Sequence, residues 1–280
     1  MPEMPEVETV RRSLEAKLIG KTITKVEVRL PRLIKTSGAS AFCDGLEGQT
    51  ILEVRRLGKG LLLVLSGERA LAIHLRMTGR LYVRREVGTK EKFVRILFSL
   101  DNQEELVYED VRTFGTLHLV KLSEIKQIPY LKNLGPEPLS ETFTLAYLTE
   151  TMRKSRGKIK GFLLDQRKIA GLGNIYVDEA LYQARLHPCR IANGVSETER
   201  EHLFVAINEI IAAAIKNRGT TFRDYVDGEG KKGHNQLFLK VYGRAGEPCE
   251  SCGTSISRSV VAGRGTHFCR CCQPEKEVLR

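Results

Sequence analysis

The sequence predicts an α+β chain of several domains. An antiparallel β-sandwich or barrel with one flanking helix comes first, then a helical domain, then a small C-terminal cysteine module. Eight short β-type runs, many separated by Gly, Asp or Asn, fill residues 22–120. A change to helical periodicity follows the turn-forming stretch Leu134-Gly135-Pro136-Glu137-Pro138. Five of the seven cysteines crowd the last 32 residues. The divisions fall at 1–134, 135–236 and 237–280.

The chain opens Met1-Pro2-Glu3-Met4-Pro5-Glu6-Val7-Glu8. A secretory signal needs a basic start and an apolar run, and neither is present. From Pro5 the pattern is helical, with Val7, Val10, Leu14 and Leu18 on one stripe. Proline suits a helix's first position and carboxylates suit its first turn. If Met1 is removed, Pro2 becomes a terminal secondary amine just ahead of a helix. Partly desolvated there, it loses its proton readily and acts as a nucleophile, with Glu3 beside it as proton carrier. The ordinary alternative is a stiff terminus with a good helix start.

Strands are expected at Thr22–Val28, Thr50–Val54, Leu61–Leu65, Ala70–Leu75, Arg80–Val83, Phe93–Ser99, Glu105–Glu109 and Thr116–Val120. Helices are expected around Leu145–Met152, Ile159–Asp165 and Ile175–Ala184. A longer one starts at a Ser196/Glu199 capping box and stops near Gly219. The polar, glycine-rich segment Phe222–Gln236 reads as a mobile loop.

Lysine and arginine outnumber acids by 45 to 34, a net charge of +11. That excess points to a polyanion, nucleic acid first. No stretch approaches the roughly 18 apolar residues of a membrane span. The clustered cysteines have metal-site spacing, not that of a disulfide framework, which places the chain in a reducing cytoplasm.

Four motifs carry chemistry. Cys249-x₂-Cys252-x₁₆-Cys269-x₂-Cys272 pairs thiolates on two hairpins as a closed, structural zinc site. Cys271 competes with Cys272, but two intervening residues is the usual knuckle. Between the pairs, Arg264 lies between two glycines on a hairpin, where a long cation can reach a phosphate. Ile169–Tyr176 is a glycine-rich turn between helices, with Asn174 expected as N-cap and free N–H groups suited to phosphate. Arg55-Arg56-Leu57-Gly58-Lys59-Gly60 puts Lys59 on a hairpin tip. His74-Leu75-Arg76-Met77 and Asp110-Val111-Arg112-Thr113-Phe114-Gly115 sit at strand ends. Periodicity favours Met77 and Phe114 as core residues; exposed beside arginines, they would instead serve as wedges in a base stack.

Together with Ala170–Glu179 and Val260–Cys269, these motifs resemble the bacterial formamidopyrimidine-DNA glycosylases nearly end to end. The resemblance implies a β-sandwich, a helix–two-turns–helix domain and a zinc finger holding one structural zinc. It implies a monomer acting on duplex DNA, removing 8-oxoguanine and ring-opened purines and then cutting the strand. Pro2 would be the nucleophile, Glu3 the general acid/base, and Lys59 and Arg264 would assist at the sugar and phosphates. His74, Asn174 and Lys160 would bind DNA. Met77, Arg112 and Phe114 would fill the gap left by the flipped nucleotide. Glu6, Thr220 and Tyr242 would line the lesion pocket.

Some positions depart from the family pattern. Met4 replaces leucine. Gly60 replaces an aromatic, so a looser hairpin is expected. Thr113 replaces a lysine and removes a cation. Arg218 stands where a second glycine is common. Cys271 and the tail from Pro274 are additions. Two other readings compete: an endonuclease VIII-type enzyme for oxidised pyrimidines, and a non-catalytic zinc-ribbon DNA-binding protein, which would have no need of Pro2 and Glu3.

Overall fold

A computed structural model describes residues 2–85, 92–222 and 225–275. Met1, on whose removal the Pro2 chemistry depends, lies outside them. So do Arg223 and Asp224 of the expected loop, and the tail from Lys276.

The chain divides into two compact units, residues 1–133 with 215–236, and residues 134–214 with 237–280. The first begins with helix α1 (Met4–Leu18). Strands β1 (Ile23–Val28), β2 (Ile51–Leu57), β3 (Gly60–Leu65), β4 (Arg69–His74), β5 (Gly79–Arg84), β6 (Val94–Leu100), β7 (Glu105–Asp110) and β8 (Thr116–Lys121) follow, with a short helix α2 (Ala39–Asp44) after β1. Each expected strand forms, with ends moved by no more than three residues. They make two antiparallel four-stranded sheets, ordered β1-β6-β7-β5 and β2-β3-β4-β8.

Alternation along the strands turns Val26, Leu81, Ile96, Phe98 and Tyr108 of the first sheet inward. Val54, Leu61, Leu63, Leu71, Ile73 and Leu117 of the second join the same buried core. The stripe Val7, Val10, Leu14 and Leu18 of α1 closes this core, all four side chains being fully buried. Burial of such side chains stabilises the fold by about 1.5–3 kcal/mol each. Apolar packing therefore seats the helix whose start carries Pro2 and Glu3.

The second unit contains α3 (Leu145–Arg153), α4 (Ile159–Leu164), α5 (Asn174–Gln183) and α6 (Glu197–Lys216), then the hairpin β9 (Ser257–Val261) and β10 (Arg264–Phe268). The capping box at α6 forms: Ser196 N–H donates to Glu199 Oε2 at 2.8 Å, and Glu199 N–H to Ser196 Oγ at 3.3 Å. The N-cap of α5 is Gly173, one residue before the expected Asn174. Asn174 is the first helical residue, and its side chain faces the β9–β10 hairpin instead of its own backbone.

The segment expected to be a mobile loop is pinned. Gly228 N–H donates to Ser13 Oγ on α1 at 2.8 Å, and its carbonyl accepts from Val83 N–H of β5 at 3.0 Å. Tyr225, Asp227, Gly228, Gly233 and Asn235 are buried. A Cβ at Gly228 would stand 2.7 Å from Leu14, so the backbone there lies directly on α1.

Among the described residues no helix is long and apolar enough to cross a membrane.

Candidate nucleic-acid interface and zinc centre

The start of α1 is organised by Glu6. Its Oε2 accepts the Glu3 N–H at 2.8 Å, and its Oε1 accepts the Thr220 N–H at 2.7 Å. Glu6 is 1% exposed, and Pro2 and Glu3 are buried beside it. Two strong acceptor bonds from one carboxylate thus fix the terminal residues against the 215–236 segment. Gly219, at φ 76°, is required here: a Cβ would come within 2.9 Å of Glu6. Of the three residues expected to line a lesion pocket, Glu6 and Thr220 are bonded to each other. Tyr242 lies in the second unit, its ring edge against His267 at 5.1 Å.

Lys59 occupies the tip of the two-residue β2–β3 turn, closed by Leu57 opposite Gly60, with Gly58 at φ 58°. The looser hairpin expected from Gly60 does not occur, because the Tyr130 ring takes the space. A Cβ at Gly60 would be 2.7 Å from Tyr130 Cε2. Tyr130 also packs edge-on to His74 at 4.9 Å. His74 Nδ1 accepts the Arg76 N–H at 3.0 Å. Burial, then Arg76, Lys59 and His118, push the His74 pKa down to about 3. The ring is therefore neutral at pH 7, and the bond to Nδ1 assigns its proton to Nε2. His74 offers an anion a neutral N–H donor, not a second charge.

Met77 and Phe114 are 38% and 54% exposed, against their periodicity. Arg112 lies over the Phe114 ring, 4.8 Å from its centroid. Asp110 shapes this loop from a fully buried position. One of its oxygens accepts Thr78 Oγ1–H at 2.6 Å, and the other accepts Gly115 N–H at 2.9 Å. Thr78 Oγ1 in turn accepts the Arg112 N–H at 2.9 Å. Gly115 is obligatory, since its Cβ would overlap the Tyr108 hydroxyl at 1.6 Å. At Thr113, where the family pattern led to a lost cation, the hydroxyl accepts a hydrogen bond from Arg32.

In the second unit, β9 and β10 meet at a tight turn over Ala262 and Gly263, both at positive φ (52° and 71°), which leaves Arg264 exposed beside the tip. The hairpin is fastened by polar groups. Gly265 O accepts from Asn174 Nδ2 at 2.8 Å and from Lys160 Nζ at 3.2 Å. Lys160 Nζ pairs with Asp178 Oδ1 at 2.6 Å, and Asp178 Oδ2 accepts the His267 N–H at 2.8 Å. Lys160, expected to bind DNA, is 0% exposed. Its ammonium acts inside the unit, where an ion taken from water must be paired. Glu179, equally buried, accepts the N–H groups of Lys240, Val241 and Tyr242 at 2.8–2.9 Å.

The sulfurs of Cys249, Cys252, Cys269 and Cys272 all lie within 4.8 Å of one another. Tetrahedral zinc with about 2.3 Å Zn–S bonds separates its ligands by about 3.8 Å. The Cys249–Cys272 and Cys252–Cys269 separations are 3.8 and 3.5 Å. The donor set therefore fits one zinc with no position left open, and Cys271 is an exposed bystander. Tyr182 of α5 adds an outer contact, its hydroxyl 3.2 Å from Cys249 Sγ. Gln273, wholly buried, accepts the Cys269 N–H and donates to Leu186 O.

Three family models match in the same order. Residues 1–117 match the formamidopyrimidine-DNA glycosylase N-terminal domain, 134–226 its H2TH domain, and 246–274 the zinc finger found in FPG and IleRS. The formamidopyrimidine-DNA glycosylase of Desulforamulus reducens is 48% identical over 99% of this chain and 100% of its own length. That of Heliobacterium modesticaldum is also 48% identical, over 98% and 100%. The chain belongs to the formamidopyrimidine-DNA glycosylase family. A solved complex of Lactococcus lactis Fpg with DNA containing an abasic site matches with a TM-score of 0.92 and 40% identity. It covers 98% of this chain and 100% of that one. Further solved complexes of the Lactococcus lactis enzyme hold N7-benzyl-Fapy-dG DNA and an oxidised pyrimidine-containing DNA. The cysteine cluster is accordingly this family's zinc finger, with one structural zinc.

Sequence reasoning assigned no role to several side chains that hold these elements in place: Thr78, Asp110, Tyr130, Asp178, Glu179 and Gln273. A signal was available for two of them. Asp178 and Glu179 interrupt a helix otherwise buried at Ile175, Tyr176, Val177, Ala180 and Leu181. Acids in a buried stripe need partners.

Proposed function

We propose that this protein is a base-excision-repair DNA glycosylase that removes oxidised purines, 8-oxoguanine and formamidopyrimidines, from duplex DNA and then cleaves the strand. The observation that carries the reading is the start of α1, where Pro2 and Glu3 are buried and fixed through Glu6. A stiff terminus alone has no use for such anchoring. The damaged nucleotide is extruded, at a cost of a few kcal/mol. Lys59, His74, Asn174 and Arg264 offset that cost by holding phosphates, and Met77, Arg112 and Phe114 fill the vacated stack. The Pro2 amine attacks C1′ and the base departs with its bonding pair, taking a proton relayed by Glu3. The C1′–O4′ bond then opens, O4′ taking a proton, and the iminium so formed on the Pro2 nitrogen acidifies C2′–H. Loss of that proton expels the 3′-phosphate, and a second elimination expels the 5′-phosphate.

The proposed working modules are residues 1–134 for catalysis, 135–236 for DNA binding with the lesion segment, and 237–280 for the zinc finger. The protein acts as a monomer in the bacterial cytoplasm, on nucleoid DNA.

Duplex carrying 8-oxoguanine opposite cytosine, treated with borohydride during turnover, should yield a covalent adduct on Pro2. Binding without adduct or cleavage would leave a non-catalytic zinc-ribbon protein. Faster reaction on thymine glycol would move the chain to the endonuclease VIII type, a comparison that the oxidised-pyrimidine complex of the Lactococcus lactis enzyme makes worthwhile.

A further inference from the structure

Arg218 stands in the left-handed region at φ 62°, directly before Gly219 at φ 76°. These two residues turn the chain back after its last helical turn. Such a backbone strains any residue with a Cβ and suits glycine. An arginine here carries that strain, and its side chain has a specific partner. The guanidinium donates to Asp227 Oδ2. Asp227 is 1% exposed, and its other oxygen accepts the N–H groups of Glu229 and Lys231, each at 2.9 Å. One carboxylate therefore closes the 227–231 turn and clamps it to the stem of the segment.

Both ends of the clamp are fixed. The 227–231 turn rests on Ser13 and Val83 through Gly228. At the stem, the Tyr225 hydroxyl lies within hydrogen-bonding distance of Arg218 O at 3.1 Å and Glu6 O at 3.2 Å, and Thr220 N–H donates to Glu6. Thr221 Oγ1 donates to Tyr225 O and accepts from Gly233 N–H. Thr220, Thr221 and Tyr225 thus lie on chain whose two ends meet at the ion pair, and the pair sets where they stand relative to Glu3 and Glu6.

We propose that the Arg218–Asp227 pair is a positioning device for the damaged base, holding the lesion segment in its base-receiving shape. This rests on the reading above that the segment lines the lesion pocket. A positioning role for the base predicts a split between two steps. Base excision needs the segment; cutting at a site that has already lost its base does not.

The test is Arg218→Gly, which removes the pair and relieves the backbone, so misfolding is not built into the variant. Single-turnover rates are measured on duplex with 8-oxoguanine opposite cytosine and on duplex with an abasic site. Excision should fall roughly tenfold while abasic cleavage stays within about twofold, the signature of an interaction used in only one step. Arg218→Lys, which keeps the charge, should recover most of the lost excision. Unchanged excision in Arg218→Gly, an equal loss on both substrates, or a lysine variant no better than glycine overturns the proposal. Wild-type protein that cleaves neither substrate overturns the functional reading beneath it, and this role with it.

Discussion

The two hairpins that present Lys59 and Arg264 end alike and are held in opposite ways. Each places one cation at a two-residue turn with left-handed backbone. Behind Lys59 stands β3, buried along its whole length, with Leu61, Leu63 and Leu65 in the sandwich core. Behind Arg264 the apolar support among the described residues is smaller: Val261 and Phe268 of the hairpin are buried, beside a cluster of Val241, Ile256, Cys249 and Cys269. Lys160, Asn174 and Asp178 fasten it instead, with four thiolates suited to zinc. A module of about forty residues cannot bury enough surface to fold by the hydrophobic effect alone. Rigidity at a cation-bearing turn can be supplied by packing or by a metal and buried charge. The source decides what destroys it.

Metal removal should separate the two most sharply. Structural zinc contributes an apparent 10–16 kcal/mol in small fingers, roughly. Chelation should abolish hydrogen-exchange protection across Ser257–Phe268 and weaken DNA binding, leaving protection of Leu61–Leu65 unchanged. If both hairpins lose protection together, the contrast is wrong. Next comes Lys160→Met, which strands the buried Asp178 carboxylate. Breaking a buried pair costs about 3–5 kcal/mol, read as a lower melting temperature and a hairpin that exchanges faster even with zinc present. Leu63→Ala acts on the other hairpin only, at about 2–5 kcal/mol, and zinc affinity should not change. A shift in zinc affinity would show the two to be coupled.

A further effect is one of pH. His74 is held neutral, its pKa about 3 against 6.5 for the free side chain. Between those values the unfolded chain binds a proton that the fold does not, so stability should fall as pH falls from 6.5 towards 3. Above 6.5 the residue contributes no slope. His74→Gln should flatten that window, measured by urea unfolding at several pH values; an unchanged slope would place the acid sensitivity in other groups.

This contrast also explains what the sequence reveals. Strands with alternating burial, such as β5, announce themselves by their period, while β3, buried along its whole length, was legible as a short apolar run between turn residues. Thiolate spacing was as plain, since coordination geometry dictates it. The supports of the site were not legible. Asp110 and Tyr130 act on residues that tertiary structure alone brings near, and one polar residue in a strand or loop has no period. Met77 and Phe114 misled in the other direction, because their pattern follows the core while their positions face outward. The pinned 225–236 segment read as mobile because its composition is polar and glycine-rich, yet Gly228 and Gly233 are the places where its backbone meets α1 and Gly219.

The bond between Glu6 and Thr220 spans 214 positions of sequence. A ribosome adds roughly 5–20 residues per second. The first turn of α1 therefore leaves the ribosome on the order of tens of seconds before the residue that completes it. During that interval the end of the nascent chain is open to the aminopeptidase chemistry that would expose Pro2. Once Thr220 arrives, its bond to Glu6 completes the turn in which Pro2 and Glu3 are buried. For the Pro2 nucleophile proposed above, biosynthetic timing would separate maturation from burial.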